Sequence, residues 1–159
     1  MAKDYTHRNL IVWQRAQELA LNVMQLSHRL PQSWANAVLA RQIVAAVTSV
    51  GANIAEGHGR YTPGAHRHHL LIARGSLAET DSWLDLMRRA GWITANEEEP
   101  LQAECREITA MLTSKIQTLN RLKDEGGSSH MYEQHEPYTI TETDDETPFP
   151  FTRDDYMLE

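Results

Sequence analysis

The residues of this 159-residue chain best suited to ligand chemistry are arginines. A guanidinium group stays charged and presents paired donors that match phosphate oxygens, so a band of arginines could bind nucleic acid. Arg67 and Arg74 are seven residues apart and would share one face of a helix. Alternatively, the arginines pair with acidic residues of the same domain, such as Glu56, Asp81 and Asp85, and the sequence leaves both interpretations open. The candidates for nucleic-acid contact are Arg41, Arg60, Arg67, Arg74, Arg88 and Arg89.

Metal-binding and catalytic chemistry have weaker signals in the sequence. His66 and His69 are three residues apart on a predicted helix and could share a metal ion. They lack a neighbouring cysteine or a carboxylate at the spacing of a zinc signature, so a solvated polar face is the favoured interpretation. Ser76 follows Gly75 inside a predicted helix, whereas a hydrolase nucleophile lies at a strand-to-helix turn. We therefore expect no catalytic residues, no metal and no cofactor, and we do not expect an enzyme.

The stretch Asn53–Arg60 is the strongest local pattern in the chain. Asn53 falls on the apolar face of its predicted helix, and a buried amide is costly unless it is hydrogen-bonded, so we expect it to have a specific partner across the bundle. Gly57 and Gly59 can adopt backbone angles closed to other residues and are predicted to end the helix tightly. The stretch is interpreted either as a helix terminus with a structural asparagine, or as a ligand contact built around Glu56 and the final arginine.

Four helical segments must position these residues, because apolar residues recur along each of them at steps of three and four. Thr62 and Pro63 are favoured at a helix start, and Asn96 with Glu99 resembles a capping box. No segment up to residue 125 alternates as a strand does, so the predicted fold is all-α, an antiparallel up-down-up-down four-helix bundle. The predicted helices run from about Thr6 to Arg29, from Ser33 or Ala35 to Glu56, from Thr62 to Gly91, and from Asn96 or Pro100 to Gly126.

The second predicted helix is apolar most of the way round, since it carries Arg41 and then no charge until Glu56. A helix of this kind is buried on more than one side, which predicts a subunit contact as well as a core and hence a homo-oligomer. Structural roles are expected for four further residues. Trp13 covers an edge of the core, Gly75 permits close helix packing, Ser76 hydrogen-bonds within or across helices, and Glu79 pairs with an arginine.

Net charge divides the chain at about residue 125. Residues 1–125 carry 14 Lys and Arg against 13 Asp and Glu, a net charge of +1, whereas residues 126–159 carry one Arg against 9 acidic residues, a net charge of −8. The first part is the predicted bundle. The second part follows a Gly/Ser linker and is predicted to be a disordered acidic tail, native or fused, with a short docking motif. An anionic partner is therefore expected only for the bundle.

The expected location is the cytoplasm. The segment Met1–Asp4 is polar and lacks the apolar region of a signal peptide. No run approaches the roughly 20 apolar residues that span a bilayer, so no membrane contact is expected. The single cysteine, Cys105, cannot form an internal disulfide, which fits a reducing compartment.

Three motifs in the same order resemble one family. They are Asn9–Ala16 with its Trp-Gln-Arg-Ala core, Asn53–Arg60, and Ile72–Glu79. The chain from about residue 7 to 125 is similar to the small bacterial four-helix-bundle proteins encoded in intervening sequences of large-subunit ribosomal RNA genes. That family includes the accessory variability protein of diversity-generating retroelements.

The resemblance implies a barrel-shaped homopentamer of antiparallel four-helix bundles. In the retroelement branch it implies a basic surface that binds RNA and DNA, and a partner reverse transcriptase. The motifs themselves match Arg60 and, loosely, Arg74. The retroelement members are strongly basic, whereas this bundle is near neutral.

Two functions follow from the sequence. The first is a non-enzymatic accessory oligomer that binds nucleic acid and works with a reverse transcriptase or an RNA. The second is an interaction scaffold whose acidic C-terminal tail docks on a partner protein.

Overall fold

The computed structural model describes residues 6–125. The chain divides into two units, Met1–Ser128 and Ser129–Glu159, and the description below concerns the first. The predictions for the acidic tail, residues 126–159, lie outside the described residues.

Within residues 6–125 the chain forms helices and no strand. Helix α1 packs against α2 and α4, and α3 also packs against α2 and α4, so each helix has two neighbours around one core. The predicted all-α four-helix bundle is confirmed at this level. The elements are a short 3-10 helix (His7–Asn9), α1 (Ile11–His28), α2 (Trp34–His58), α3 (Pro63–Arg89) and α4 (Ala95–Glu125).

The core is apolar and draws on every helix. Leu19 of α1, Ile43 of α2, Leu77 of α3 and Ile108 of α4 are all fully buried. Their neighbours at three- and four-residue steps are buried with them, which is the periodicity of one helical face. The main polar side chain inside this core is Thr80, whose hydroxyl donates to the Ser76 carbonyl oxygen at 2.8 Å.

Helices α2 and α3 each begin next to a residue whose side chain caps the helix. Ser33 accepts a hydrogen bond from the Asn36 amide at 3.1 Å, and Thr62 accepts one from the Ala65 amide at 3.2 Å, so α2 and α3 begin close to their predicted starts. At the C-terminus of α3, Gly91 has φ +74°, a left-handed angle that glycine adopts without strain.

The start of α1 was predicted wrongly, whereas α4 begins at Ala95, one residue from the predicted Asn96, with a different capping pair from the predicted one. Residues 7–9 form a 3-10 turn, and Leu10 has an extended backbone with ψ 120°, so α1 begins only at Ile11. At α4, the Glu97 carboxylate accepts hydrogen bonds from the Thr94 amide and hydroxyl, both at 2.9 Å. This capping box starts the helix before Asn96 and leaves Pro100 inside it.

Among the described helices, α2 is long and apolar enough to cross a membrane by length and composition, with a window of mean hydropathy 1.4. This corrects the expectation that no stretch of the chain approaches that length. Residues such as Val47 and Val50 of this helix are fully buried against its neighbours. The same composition characterises the central helix of a bundle.

Candidate functional site

The structural role of Gly57 is in helix packing and not in helix termination. Helix α2 continues through it to His58, and Gly59 has φ −77°, an angle open to any residue, so the predicted special backbone angles are absent here. A Cβ at Gly57 would lie 3.1 Å from His69 Cβ and 3.2 Å from the His66 carbonyl oxygen. Glycine therefore lets α3 approach α2 closely at this point.

Asn53 bridges the same two helices. It is half-buried, and its neighbour Ile54 takes the core position that was predicted for it. Its amide nitrogen donates to the Ser49 carbonyl oxygen at 2.9 Å and lies 3.1 Å from the Ser49 hydroxyl. Its amide oxygen lies 3.3 Å from His69 Nδ1 on α3. The expected partner across the bundle is therefore His69.

These contacts belong to a longer polar row along the α2–α3 interface. The Ser76 hydroxyl donates to Ser49 Oγ at 3.0 Å at the buried end. At the exposed end, Glu56 pairs with the Arg60 guanidinium and lies 3.6 Å from His69 Nε2. We call this row the polar ladder; in order, it is Arg60, Glu56, His69, Asn53, Ser49 and Ser76.

The polar ladder favours the structural interpretation of the Asn53–Arg60 stretch. Each of its side chains satisfies another, which lowers the cost of burying polar groups between two helices. Glu56 and Arg60 form an ion pair at the end of this row, which supports the structural interpretation, and the ligand contact built around them stays a prediction.

The six candidate arginines fall into two groups. Arg60 pairs with Glu56, Arg89 lies 3.5 Å from Asp85, and Arg88 lies 3.9 Å from Glu98. For these three, the alternative of pairing within the bundle holds. Among the residues that the structure describes, the other three form no ion pair; they are Arg41, Arg67 and Arg74.

The unpaired arginines do not form one continuous band. Arg41 lines a groove between α1 and α2, together with Met24 and Val44. Arg67 is half-buried, and its Nε atom is buried without a hydrogen-bond partner among the described residues. Arg74 lines a different surface from Arg41, in a groove between α3 and α4.

An open groove of about 720 Å³ separates α3 from α4. Arg74 from α3 and Arg106 from α4 line it, and neither forms an ion pair with a described residue. Thr109 and Thr113 line it as well, and so does the acidic residue Asp81. We call this the Arg74–Arg106 groove; it combines cations and hydroxyl donors in the way phosphate sites do.

Sequence reasoning missed Arg106, because only the packing of α4 on α3 brings it to Arg74. Gly75 also lines this groove, and no atom of the described chain lies within 4 Å of where its Cβ would be. The predicted role of Gly75 in close helix packing is therefore wrong within the bundle.

The remaining motif residues have structural contacts. Trp13 packs partly buried against the core, with its ring centroid 5.0 Å from that of His7. Glu79 accepts a hydrogen bond from the Trp83 indole at 3.3 Å and does not pair with an arginine. Gly51 is buried next to the Trp13 side chain, and it was not among the residues singled out from the sequence.

A bidentate pair that the sequence did not reveal joins α1 to α4. Arg15 Nε donates to Glu104 Oε1 at 2.6 Å, and its Nη2 donates to Oε2 at 2.7 Å. Hydrogen bonding by the guanidinium lowers the pKa of Glu104, and the same bond raises the pKa of Arg15.

The histidines cluster near the α2–α3 connection. Burial lowers the pKa of His66, and the positive charges of Lys115, His58 and His69 lower it further. In the described part of the chain, no group of three or more His, Cys, Asp or Glu side chains has the geometry of a metal site.

Residues 8–114 match the family described as 23S rRNA-intervening sequence protein. The chain belongs to this family. All three motifs lie inside the matched range, so the family they suggested is confirmed, while the link to retroelement accessory proteins stays a prediction.

This intervening-sequence protein is also similar to a solved structure, a protein of unknown function from the S23 ribosomal protein family of Bacteroides thetaiotaomicron. The two are 30% identical, and the match covers 67% of this chain and 98% of the other, with a TM-score of 0.63. No curated protein matches the chain.

Proposed function

We propose that this intervening-sequence protein is a non-enzymatic accessory protein that binds RNA or DNA through the Arg74–Arg106 groove. One observation carries the proposal: two arginines from different helices share an open groove and lack carboxylate partners among the described residues. Their charge is therefore available to phosphates, in contrast to the charges of Arg60 and Arg89, which are already paired.

The near-neutral bundle is compatible with this role because phosphate binding depends on local charge more than on net charge. Within residues 6–125, five arginines form ion pairs, and Arg74 and Arg106 are among the basic residues that form none. Thr109 and Thr113 add hydroxyl donors that position a sugar-phosphate backbone without reading its sequence. The expected binding is therefore salt-dependent and weakly specific.

We further propose that the antiparallel bundles assemble into a ring-shaped homo-oligomer, a pentamer by the family resemblance, in the cytoplasm. The support is apolar surface on α1 and α2: Leu21 is 50% exposed and Trp34 is 83% exposed. Beside the groove that Arg41 lines, Met24 and Val44 add further apolar area. Repetition of the Arg74–Arg106 groove around a ring would multiply its attraction for phosphates. A reverse transcriptase is the proposed protein partner.

Fluorescence anisotropy with labelled single-stranded RNA tests the nucleic-acid role. The test variant is the double substitution Arg74→Ala with Arg106→Ala. The matched control is Arg88→Ala with Arg89→Ala, which removes the same charge from arginines that are paired. Each phosphate contact on a single strand contributes about 0.7 to the slope of log K against log salt, so the test variant should flatten the slope by about 1.4.

The control should leave the slope nearly unchanged. Equal losses in the two variants would show that binding follows net charge and not the groove. Absence of RNA binding by the unsubstituted protein at low salt would refute the role itself. Sedimentation of the unsubstituted protein as a folded single chain would refute the ring.

The second candidate is the interaction scaffold, favoured by the confinement of a net charge of −8 to residues 126–159. Under this proposal, deletion from Gly126 onward abolishes binding to the partner protein and leaves the oligomer intact. Unchanged partner binding after that deletion would rule it out.

A further inference from the structure

A second cleft, separate from the Arg74–Arg106 groove, lies near the α2–α3 connection. Its volume is about 290 Å³, at the low end of the range for small-molecule sites. All four helices or their caps contribute to it, and none of its described lining residues carries a carboxylate. The lining includes Val12, Ile54, Leu70, Met111, His66 and Lys115.

The cleft has an apolar floor and a basic rim. Ile54, Leu70 and Leu112 are almost completely buried at the floor. His66 is half-buried and Lys115 is exposed at the rim, and His58 lines the same edge. This gradient suits a molecule with an apolar body and a charged head.

The basic residues at the rim favour a negatively charged head over a positively charged one. Burial lowers the pKa of His66 and disfavours its protonated form, and electrostatic interaction with Lys115, His58 and His69 acts in the same direction. Glu56, which contacts His69 and Arg60, does not line the cleft. An anion at the rim would therefore meet His66 and Lys115, and the described lining residues of the cleft include no carboxylate.

We propose that this cleft binds a small carboxylate with an unbranched or compact apolar body, such as a medium-chain fatty acid. The apolar body would lie against Leu70 and Met111, and the carboxylate would lie between His66 and Lys115. This inference is independent of nucleic-acid binding, because the two sites share no lining residue.

Titration of the full chain with sodium octanoate tests the proposal, followed by NMR of the Met111 methyl and the His66 imidazole. Saturable shifts of both signals are expected, together with a rise in the pKa of His66 on binding. Because each methylene contributes a factor of about four in affinity and hexanoate has two fewer, hexanoate should bind roughly 15-fold more weakly. Octanol, which lacks the charge, should bind more weakly than octanoate, and octyl phosphate distinguishes a carboxylate site from a general anion site.

Two variants locate the site. Met111→Trp fills the cleft and should abolish binding, with circular dichroism showing that the helices persist. Lys115→Ala, at an exposed position, should weaken octanoate about threefold, while Arg121→Ala removes the same charge from an exposed position of α4 outside the cleft and should have no effect.

Octanol binding equal to octanoate binding, or equal effects of the Lys115 and Arg121 variants, would overturn the proposed anion recognition. Octyl phosphate binding more tightly than octanoate would overturn the carboxylate assignment. No saturable shift at millimolar octanoate would overturn the site altogether and would indicate that the cleft is closed by a second copy or by another part of the chain.

Discussion

A pair of glycine substitutions tests how closely α2 and α3 approach. Alanine in a helix interior is favoured over glycine by about 0.8–1.0 kcal/mol. At Gly75 the added methyl group meets no atom of the described chain within 4 Å, so Gly75→Ala should stabilise the bundle by about 1 kcal/mol. The same gain is available at Gly57, but the methyl group there has no free space.

At Gly57 the new Cβ would lie 3.1 Å from His69 Cβ and 3.2 Å from the His66 carbonyl oxygen. These atoms move only with the helix, so α2 and α3 must separate by a few tenths of an ångström. Overpacking of this kind costs about 1–3 kcal/mol, which outweighs the gain in helix propensity. Gly57→Ala should therefore be less stable than Gly75→Ala by about 1–3 kcal/mol.

Urea unfolding followed by circular dichroism measures both effects. The measurement is repeated at several protein concentrations, because self-association adds to the apparent stability. Gly51→Ala is an informative control: its Cβ would lie 2.6 Å from the amide nitrogen of Gln17, the mobile end of a long side chain that can rotate away. Its free energy of unfolding should lie between those of the other two variants.

Equal stability of Gly57→Ala and Gly75→Ala would contradict this close approach, since the two helices would then have room between them. A concentration-dependent loss of stability in Gly75→Ala would have a different meaning. It would show that another subunit packs against the open surface beside Arg74.

Three further predictions concern single side chains. Glu104→Gln should cost about 1 kcal/mol at neutral pH. Because Arg15 lowers the pKa of Glu104, the contribution of the pair is present above the ordinary carboxyl pKa and lost as the pH falls through the lowered value. Urea unfolding at pH 7 and at a series of lower pH values should therefore show the difference between the variant and the unsubstituted protein shrink as the pH falls. Asn53→Leu should destabilise the bundle by about 1–2 kcal/mol by leaving polar partners unsatisfied, with the His69 resonances shifted, and an unchanged unfolding midpoint would contradict this. Burial raises the pKa of Cys105 to about 12, so iodoacetamide at pH 8 should alkylate it only after unfolding, and rapid alkylation of the native protein would show that the thiol is accessible.

Local chemistry made much of the fold predictable. The caps at Ser33 and Thr62 and the left-handed turn at Gly91 depend on residues within a few positions, and their types are informative in isolation. The α4 start lies one residue from the predicted Asn96, but its capping pair was predicted wrongly, because two overlapping capping boxes were available and Thr94 with Glu97 formed in place of Asn96 with Glu99.

The candidate site was less predictable because it depends on which helices meet. Arg15 and Glu104 are 89 residues apart, and no neighbouring residue of either one indicates that the two form a pair. Arg106 becomes a candidate only when α4 lies beside Arg74. Gly57 was interpreted through backbone angles, whereas its reason is the approach of His66 and His69 from α3.

The Arg15–Glu104 pair also bears on the order in which the chain folds. Helices α2 and α3 are joined by residues 59–62 alone, whereas α1 and α4 can meet only after the intervening chain has been organised. We expect α2 and α3 to associate early and the contact of α1 with α4 to form after the rate-limiting barrier. Loss of the Glu104 carboxylate would then accelerate unfolding and leave the folding rate unchanged. The Arg15–Glu104 pair would therefore govern the lifetime of the native bundle.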